Sequence, residues 1–378
     1  SGSNSHTEGV LSEARGDISH AEGLNTTANG RASHTEGADT TANGIASHAE
    51  GSLTIAEGNF SHAEGSLTIS EGENSHAEGR GSRASGMNSH AEGNSTTASG
   101  VNSHAEGTFT AASGNSSHSE GTRTIARFEN AHIMGRFGEA EEAHSWFIGN
   151  GTSQGARGLG AKWLASDGEM YIDGAAYNTG GADFAEMFET VDGNAIDVGY
   201  FVTVSEEDKI RVAKSSDNYI LGISSATPSV IGNSAGLSWH GRYLLDQWGR
   251  RTYHEVKVPA IKDSTGKVIV PERTEIQPVI NPEWDPKQEY IPRKKRTEWV
   301  PVGLIGQILV RDDGTCETHG YCWPNDDGIA TKAENGYLVL KRTGTNQILV
   351  LVNPISLIKE LDPVVKLEKL AKLKEQGF

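Results

Sequence analysis

The first third of the chain has almost no large apolar side chains and repeats small and polar residues with a period of seven. A small residue stands two positions before most glycines and a serine or threonine four positions before them, so the unit is (Ser/Thr)-x-Ala-x-Gly-x-x. Because side chains alternate between the two faces of a strand, the small residues share one face. The pattern predicts short strands stacked closely in a thin roll, with a turn at each Gly-x-x step, where glycine tolerates a positive φ.

Histidine recurs every fourteen residues from His6 to His132, and nine of these ten histidines lie in Ser-His-(Ala/Thr/Ser)-Glu-Gly. A fixed short period is typical of a solenoid, in which no single repeat buries a core alone. Each coil would hold two strands and rise about 4.8 Å, so the region would form a rod of roughly 45 Å. The composition by itself favours disorder, but a disordered chain has no reason to keep this register.

One strand of each coil repeats histidine and glutamate on its outer face, whereas the outer face of the other strand varies. A roll without an apolar core needs a partner to bury enough surface. We therefore expect the constant face to line the axis of a symmetric oligomer and the varied face to meet solvent. The predicted axial ladder consists of His20, Glu22, His48, Glu50, His62, Glu64, His76, Glu78, His90, Glu92, His104 and Glu106.

The ladder also contains metal-ligating side chains, so a metal is the alternative to a ladder of His–Glu hydrogen bonds. Metal centres rarely recur in every layer, because each needs outer partners that orient its ligands. The hydrogen-bonded ladder is therefore favoured, and neither a metal nor a cofactor is expected. In such a ladder the glutamates would raise the pKa of the histidines. Acid would weaken the rod, because protonated histidine layers repel one another.

The repeat resembles the YadA-like head repeat of trimeric adhesins and phage fibres over residues 4–128. The pattern there is Ser-Val-Ala-Ile-Gly followed by Ser-x-Ala-x-Gly, and here His and Glu replace the two apolar residues. The resemblance implies a left-handed parallel β-roll that forms a homotrimer.

The rest of the chain also indicates a mainly β fold, with residues 129–180 as a neck, residues 181–355 as a mostly β domain and residues 356–378 as a short helical tail. The tail would either bundle around a three-fold axis or pack on its own domain. Strands are predicted between clusters of turn residues at 200–204, 209–212, 219–224, 254–258, 268–270, 303–310, 336–340 and 347–352.

Charge and cysteine content exclude several classes of function. A net charge of −17 argues against nucleic acid or an anionic membrane as a partner. The sequence contains no run of 18 apolar residues, so no membrane span is predicted. Cys316 and Cys322 flank His319, which leaves the group one ligand short of a closed zinc site. Structural cysteines are favoured, with a local disulfide or a metal as alternatives.

Asp183 and Glu186 form the most distinctive candidate site, three residues apart among aromatic residues and after Gly180-Gly181. Carboxylates in apolar surroundings have raised pKa values, so one can keep a proton while the other is ionised. Such a pair can hydrolyse an amide, because one carboxylate activates water and the other protonates the leaving nitrogen. The same spacing is also typical of the first turn of a helix, with Asp183 as the N-cap.

The segment from Gly181 to about Val352 resembles the peptidase G2 family, the autocleaving chaperone domains of phage tail spikes, fibres and appendages. The resemblance is carried by the segments 182–189, 192–194, 199–202, 219–223, 228–233 and 326–331. It implies a domain that trimerises, templates folding of the preceding fibre and then cuts itself off between Ala182 and Asp183. Glu186 matches the acid/base of the family, and Asp183 would supply the second carboxylate.

Ala182 departs from the family, in which serine often precedes the aspartate. Without a hydroxyl there is no N→O acyl shift, so cleavage would use carboxylate-activated water, unless it is slow or lost. The predicted protein is a trimeric phage or prophage fibre or appendage component, made in the bacterial cytoplasm and carried on the virion, with a host cell-surface receptor as a candidate partner. Its only enzymatic activity would be single-turnover, glutamic peptidase-like autoproteolysis. The alternative is an adhesin-type binding protein with a non-cleaving trimerisation domain.

Overall fold

The computed structural model describes residues 2–353 except 175, 177, 236–240 and 263–267. Contacts divide the chain into two units, Ser1–Tyr177 and Asn178–Phe378. The described part is nearly all β and contains two short 3₁₀ segments, Glu206–Asp208 and Arg293–Lys295. Within it, no helix has the length and apolar character needed to cross a membrane. The helical tail predicted for residues 356–378 lies outside the described residues.

The first unit is a stack of coils. Each coil contributes one strand to each of two sheets, and the strands of successive coils pair in parallel. The odd-numbered strands from β1 to β19 continue into β20, β21 and β22 to make a 13-stranded sheet, and the even-numbered strands from β2 to β18 make a nine-stranded sheet. The strands are β1 His6–Val10, β2 Glu13–Ala14, β3 His20–Leu24, β4 Thr27–Ala28, β5 His34–Thr35, β6 Thr41–Ala42, β7 His48–Ala49, β8 Ile55–Ala56, β9 His62–Ala63, β10 Ile69–Ser70, β11 His76–Ala77, β12 Arg83–Ala84, β13 His90–Asn94, β14 Thr97–Ala98, β15 His104–Thr108, β16 Ala111–Ala112, β17 His118–Ser119, β18 Ile125–Ala126, β19 His132–Arg136, β20 Trp146–Asn150, β21 Leu159–Trp163 and β22 Met170–Ile172.

The register between coils is fourteen residues, as the histidine period predicts: His62 pairs with His76, and His76 with His90. The predicted parallel β-solenoid is therefore confirmed. Parallel pairing continues beyond residue 128, since β19 pairs with β20 in the same register. At that end Ile133 and Phe147, both fully buried, fill the interior.

The interior of the coils is made of small residues, as the seven-residue pattern predicts. Ala49 and Ala56, one from each strand of a coil, are fully buried. The serine before nine of the ten histidines closes the preceding turn: the Ser47 hydroxyl donates to the Gly44 carbonyl at 2.8 Å. The same bond recurs along the stack, which explains why serine is kept at this position.

The turns use glycine differently from the prediction. The glycine after each His-x-Glu does have a positive φ, as at Gly51 with φ 102°, but the second glycine of each coil does not. Residues two positions after the glycines also lie in the left-handed region, including Leu53 and Phe60 with φ 58°. The second glycine is required for close approach instead: a Cβ on Gly58 would lie 2.0 Å from the Gly72 carbonyl oxygen.

The second unit is built on a ten-stranded sheet in which β25, β24, β26, β32, β36, β35, β33 and β34 follow one another and β23 and β27 join beside β32. Its core includes Phe201, Ile223, Val310, Tyr337 and Val350. Each of the eight predicted strand segments contains a strand. The strands are β23 Asp183–Glu189, β24 Phe201–Val204, β25 Ile210–Val212, β26 Gly222–Ser224, β27 Val230–Gly232, β28 Tyr253–Val258, β29 Ile261–Lys262, β30 Val268–Val270, β31 Arg273–Pro278, β32 Trp299–Arg311, β33 Tyr321–Pro324, β34 Ala330–Ala333, β35 Tyr337–Gly344 and β36 Gln347–Val352.

Candidate functional site

The Asp183 motif forms a strand, not the helical turn that its spacing also allowed. β23 runs between two neighbours, antiparallel to β32 and parallel to β27. Phe184, Met187 and Phe188 supply the aromatic and apolar side chains that favour a strand at this position. Ladder hydrogen bonds on both sides therefore outweigh the capping potential of Asp183.

The two candidate carboxylates lie on opposite faces of β23. Asp183, Ala185 and Met187 are buried, whereas Phe184 is exposed and Glu186 is half-buried. Three residues of strand also separate the Cα atoms of Asp183 and Glu186 by about 10 Å. Within one chain the fold therefore places Asp183 at the predicted scissile bond and does not bring Glu186 to the same side.

Asp183 lies in a buried environment that disfavours the charged form of its carboxyl group. It is 4% exposed, and its Oδ2 atom is buried without a hydrogen-bond partner. Burial raises the pKa of the Asp183 carboxyl, opposed by a hydrogen bond from Ser225 and by the amide of Asp183 itself. Glu186 lies against Gly232 of β27: a Cβ added to Gly232 would lie 3.0 Å from the Cγ atom of Glu186.

The peptide bond between Ala182 and Asp183 is held by backbone donors on either side. The Gln307 amide donates to the Ala182 carbonyl oxygen at 3.2 Å. The Ser229 amide and hydroxyl both donate to the Asp183 carbonyl oxygen, at 2.8 and 2.7 Å. Ala182 is exposed, and hydrogen bonds fix both the carbonyl group of this peptide bond and the carbonyl group of the following one.

Sequence reasoning missed Ser229 and Gln307, because both act through backbone groups or across 46 residues or more of chain. A signal was present in β32, where Gly303 and Gly306 interrupt an apolar strand. Glycine inside a strand pattern indicates a bulge or a close backbone approach, and both occur here.

The histidines from His20 to His132 form one continuous column of stacked rings. The His48 and His62 ring centroids are 4.7 Å apart and their planes differ by 3°. From the fifth coil onward, each histidine contacts the glutamate of the preceding coil, as in the 3.1 Å separation of His76 Nε2 and Glu64 Oε1. The other such pairs are His62–Glu50, His90–Glu78, His104–Glu92, His118–Glu106 and His132–Glu120. His20 instead lies nearest its own Glu22, at 3.8 Å.

Three histidines of the column, His34, His48 and His118, have pKa values below the ordinary value. Burial lowers the pKa of His34, His48 and His118, and the neighbouring histidines lower it further. Glutamates such as Glu36 and Glu50 act the other way with smaller effect. The predicted effect of the glutamates is present but smaller, because burial lowers the pKa most and the neighbouring imidazoles lower it further.

The ladder also brings together sets of three metal-ligating atoms within 4.8 Å, for example those of His62, Glu64 and His76. The stacked rings are nearly parallel, so their Nε2 lone pairs run side by side instead of converging on one point. A tetrahedral site needs convergent ligands. His–Glu hydrogen bonds between coils form at two layers, His76–Glu64 at 3.1 Å and His90–Glu78 at 3.3 Å.

The cysteines are packed as core residues. Cys316 and Cys322 are buried free thiols in the main core, whereas His319 between them is exposed. A hydrogen bond with Cys322 and burial raise the pKa of the Cys316 thiol, so it stays protonated. This arrangement favours the structural role over a reactive or metal-binding one.

A family model described as "Peptidase_G2, IMC autoproteolytic cleavage domain" matches residues 140–347, more than half of the chain. The chain belongs to the peptidase G2 family. The matched segment contains β23, β27 and β32, so the peptide bond held between Ser229 and Gln307 lies inside the family domain.

Curated relatives of this G2 chain are phage proteins. The pre-neck appendage protein of Bacillus phage B103 is 39% identical over 158 residues, 42% of this chain and 17% of the relative. The pre-neck appendage protein of Bacillus phage phi29 is 37% identical over 161 residues, which again cover 42% of this chain and 17% of the relative. The putative phage-related protein YobO of Bacillus subtilis (strain 168) is 35% identical over 188 residues, which cover 48% of this chain and 22% of the relative. The chain thus spans about a fifth of the length of these relatives.

Two solved structures are also similar. One is the pre-mature bacteriophage phi29 gene product 12, with 21% identity and a TM-score of 0.47, covering 92% of this chain and 39% of the other. The other is the C-terminal fragment of the same gene product, with 34% identity and a TM-score of 0.37, covering 45% of this chain and 100% of the fragment.

Proposed function

We propose that this chain is part of a phage or prophage appendage protein whose G2 domain cuts the Ala182–Asp183 bond after templating a trimeric rod. Family membership and the phage relatives support an autoproteolytic appendage protein. The single observation that carries the position of the cut is the buried Asp183 carboxyl directly after an exposed residue, Ala182, whose carbonyl oxygen accepts a hydrogen bond from Gln307.

The proposed reaction is hydrolysis by one water molecule. Water adds to the carbonyl carbon of Ala182, the bond to the Asp183 nitrogen breaks, and that nitrogen takes a proton and leaves as an amine. Burial raises the pKa of the Asp183 carboxyl and so favours its protonated form, which would supply the proton to its own nitrogen. Glu186 would be the base that takes a proton from the water.

The test of cleavage is the intact mass of freshly purified and week-old protein under denaturing conditions. We expect two fragments that split between Ala182 and Asp183 and sum to 40.3 kDa plus one water. Asp183→Asn and Glu186→Gln should each slow the cut by about 100-fold or more. Glu189→Gln is the matched control, because Glu189 is on the same strand but pairs with Lys209 at 3.1 Å. A single uncut mass for the unaltered chain would contradict the proposal.

The position of Glu186 leads to a second prediction, that its carboxylate acts on a neighbouring chain. Asp183 and Glu186 face opposite sides of β23, so Glu186 would serve as the base for the bond of another copy in the proposed trimer. Co-expression of a Glu186→Gln chain with a tagged Asp183→Asn chain should restore cutting of the Glu186→Gln chain. If the Glu186→Gln chain stays whole in mixed trimers, Glu186 does not act across chains.

The rod supports the homotrimer part of the proposal. Its His/Glu face is half-buried in one chain, and large apolar side chains such as Leu11, Leu53 and Phe60 are about half or more exposed at the turns. A partner copy would cover such surface. The expected mass in solution is three times 40.3 kDa. A trimer that never cuts would favour the adhesin-type alternative, for which the absence of a hydroxyl at Ala182 is the supporting observation.

A further inference from the structure

β32 carries a bulge directly opposite the start of β23. Phe184 pairs with Ile305 and Ala185 with Gly303, so Leu304 is an extra residue on β32. A bulge bends its strand and changes the direction of nearby backbone groups. Here it lies within three residues of the amide that reaches the Ala182 carbonyl oxygen.

The two glycines beside the bulge leave space for the groups around the Ala182–Asp183 bond. A Cβ on Gly303 would lie 2.7 Å from the Asp183 Oδ2 atom. A Cβ on Gly306, whose φ is +118°, would lie 2.3 Å from the Ala182 carbonyl oxygen. One glycine therefore accommodates the buried carboxyl, and the other accommodates the carbonyl group.

The Gln307 amide follows these glycines and points at the carbonyl oxygen, 3.2 Å away. When water adds to the Ala182 carbonyl carbon, this oxygen gains negative charge. A fixed backbone donor aimed at that charge stabilises the transition state without reorganisation. Ser229 anchors the next carbonyl, that of Asp183, and so limits movement of the bond away from Gln307.

We propose that the β32 bulge is the carbonyl-binding half of the cleavage site, in which the Gln307 N–H stabilises the oxyanion and Gly303 and Gly306 are positioning residues. The inference rests on the proposed function. The N–H donates a hydrogen bond and transfers no proton, and water is the only co-reactant, so the balance of the hydrolysis is unchanged.

The direct test replaces the Gln307 amide by an ester in the full-length chain, which removes the N–H and keeps the side chain. Cleavage after refolding should slow by about 100-fold, the usual cost of one oxyanion donor, with no change in the pH profile. The matched control is the same replacement at Arg311, whose amide donates to the Gly199 carbonyl at 3.0 Å, away from the bond. Equal cleavage rates for the two esters would overturn the inference.

A second test uses side-chain variants only. An added Cβ at Gly303 would also meet the Ile308 Cδ1 atom at 2.2 Å, so Ile308→Val serves as the background that removes this clash. Gly303→Ala in that background should cut about 100-fold more slowly than Ile308→Val alone. Its rate profile should also shift along the pH axis, because the new methyl group displaces the Asp183 carboxyl. An equal loss at every pH would indicate a purely structural role and would overturn the assignment of Gly303.

These outcomes separate the inference from the function on which it rests. If the unaltered chain is not cut, the proposed function fails. If it is cut and the Gln307 ester is cut at the same rate, the function stands and the oxyanion role of the bulge fails. Thermal melting of every variant, matched to the unaltered chain, shows that a lost rate is not lost folding.

Discussion

Replacing Gly58 by alanine is expected to unfold the rod around the coil that contains it. The new Cβ would lie 2.0 Å from the carbonyl oxygen and 2.5 Å from the carbonyl carbon of Gly72 in the next coil. Both atoms are backbone, so no side chain can rotate away, and the coil spacing is set by parallel ladder hydrogen bonds. The cost should be about 4 kcal/mol or more, at the extreme of single substitutions. Urea denaturation followed by far-UV circular dichroism measures it.

The matched control for Gly58→Ala is Gly81→Asn. Gly81 has φ +64°, and a Cβ there would approach only the Ser95 hydroxyl oxygen, at 3.4 Å. Asn74 and Asn88, on the facing corner of the stack, adopt φ near 55°, and asparagine tolerates this region well. Gly81→Asn should therefore change the free energy of unfolding by less than about 1 kcal/mol. Equal losses in the two variants would show that glycine is needed in the rod for turn conformation and not for close approach.

Acid is expected to destabilise the rod as the pH falls below about 6.5, the ordinary pKa of histidine. The pKa values of His34, His48 and His118 are lower in the folded rod than in the unfolded chain. The unfolded chain therefore binds protons that the rod excludes. The contribution of these histidines to the free energy of unfolding is fully present above about pH 6.5 and is lost as the pH falls. The melting temperature should drop by several degrees between pH 7.5 and pH 5.5, a range in which exposed carboxylates with ordinary pKa values stay charged.

The control for the acid effect is the triple variant His34→Gln, His48→Gln, His118→Gln. Glutamine keeps a polar side chain in the column but does not titrate, so most of the pH dependence should disappear. The glutamates that oppose the shift, including Glu22, Glu36 and Glu106, remain in place. A melting temperature that falls equally in the triple variant and the unaltered chain would assign the acid sensitivity to other groups.

The sequence was sufficient for the rod because its information is local and repeated. The fourteen-residue period set the register between coils, and the small residues in each seven-residue unit set which face lies inside. Both predictions follow from strand alternation alone. The direction of the histidine pKa shift was not accessible in this way, because it depends on how deeply each ring is buried and then on the neighbouring imidazoles.

For the second unit, the sequence predicted eight strand segments and identified Asp183 and Glu186 as a carboxylate pair, and the family resemblance added the scissile bond between Ala182 and Asp183. Only the tertiary structure decided that Asp183 is buried, that Glu186 faces the other side of β23, and that Gln307 and Ser229 hold the bond. These contacts join residues 46 to 125 positions apart, and a local motif contains no information about which distant strand will lie beside it. Strand pairing supplies that information, because burial of the shared core selects one neighbour and one register.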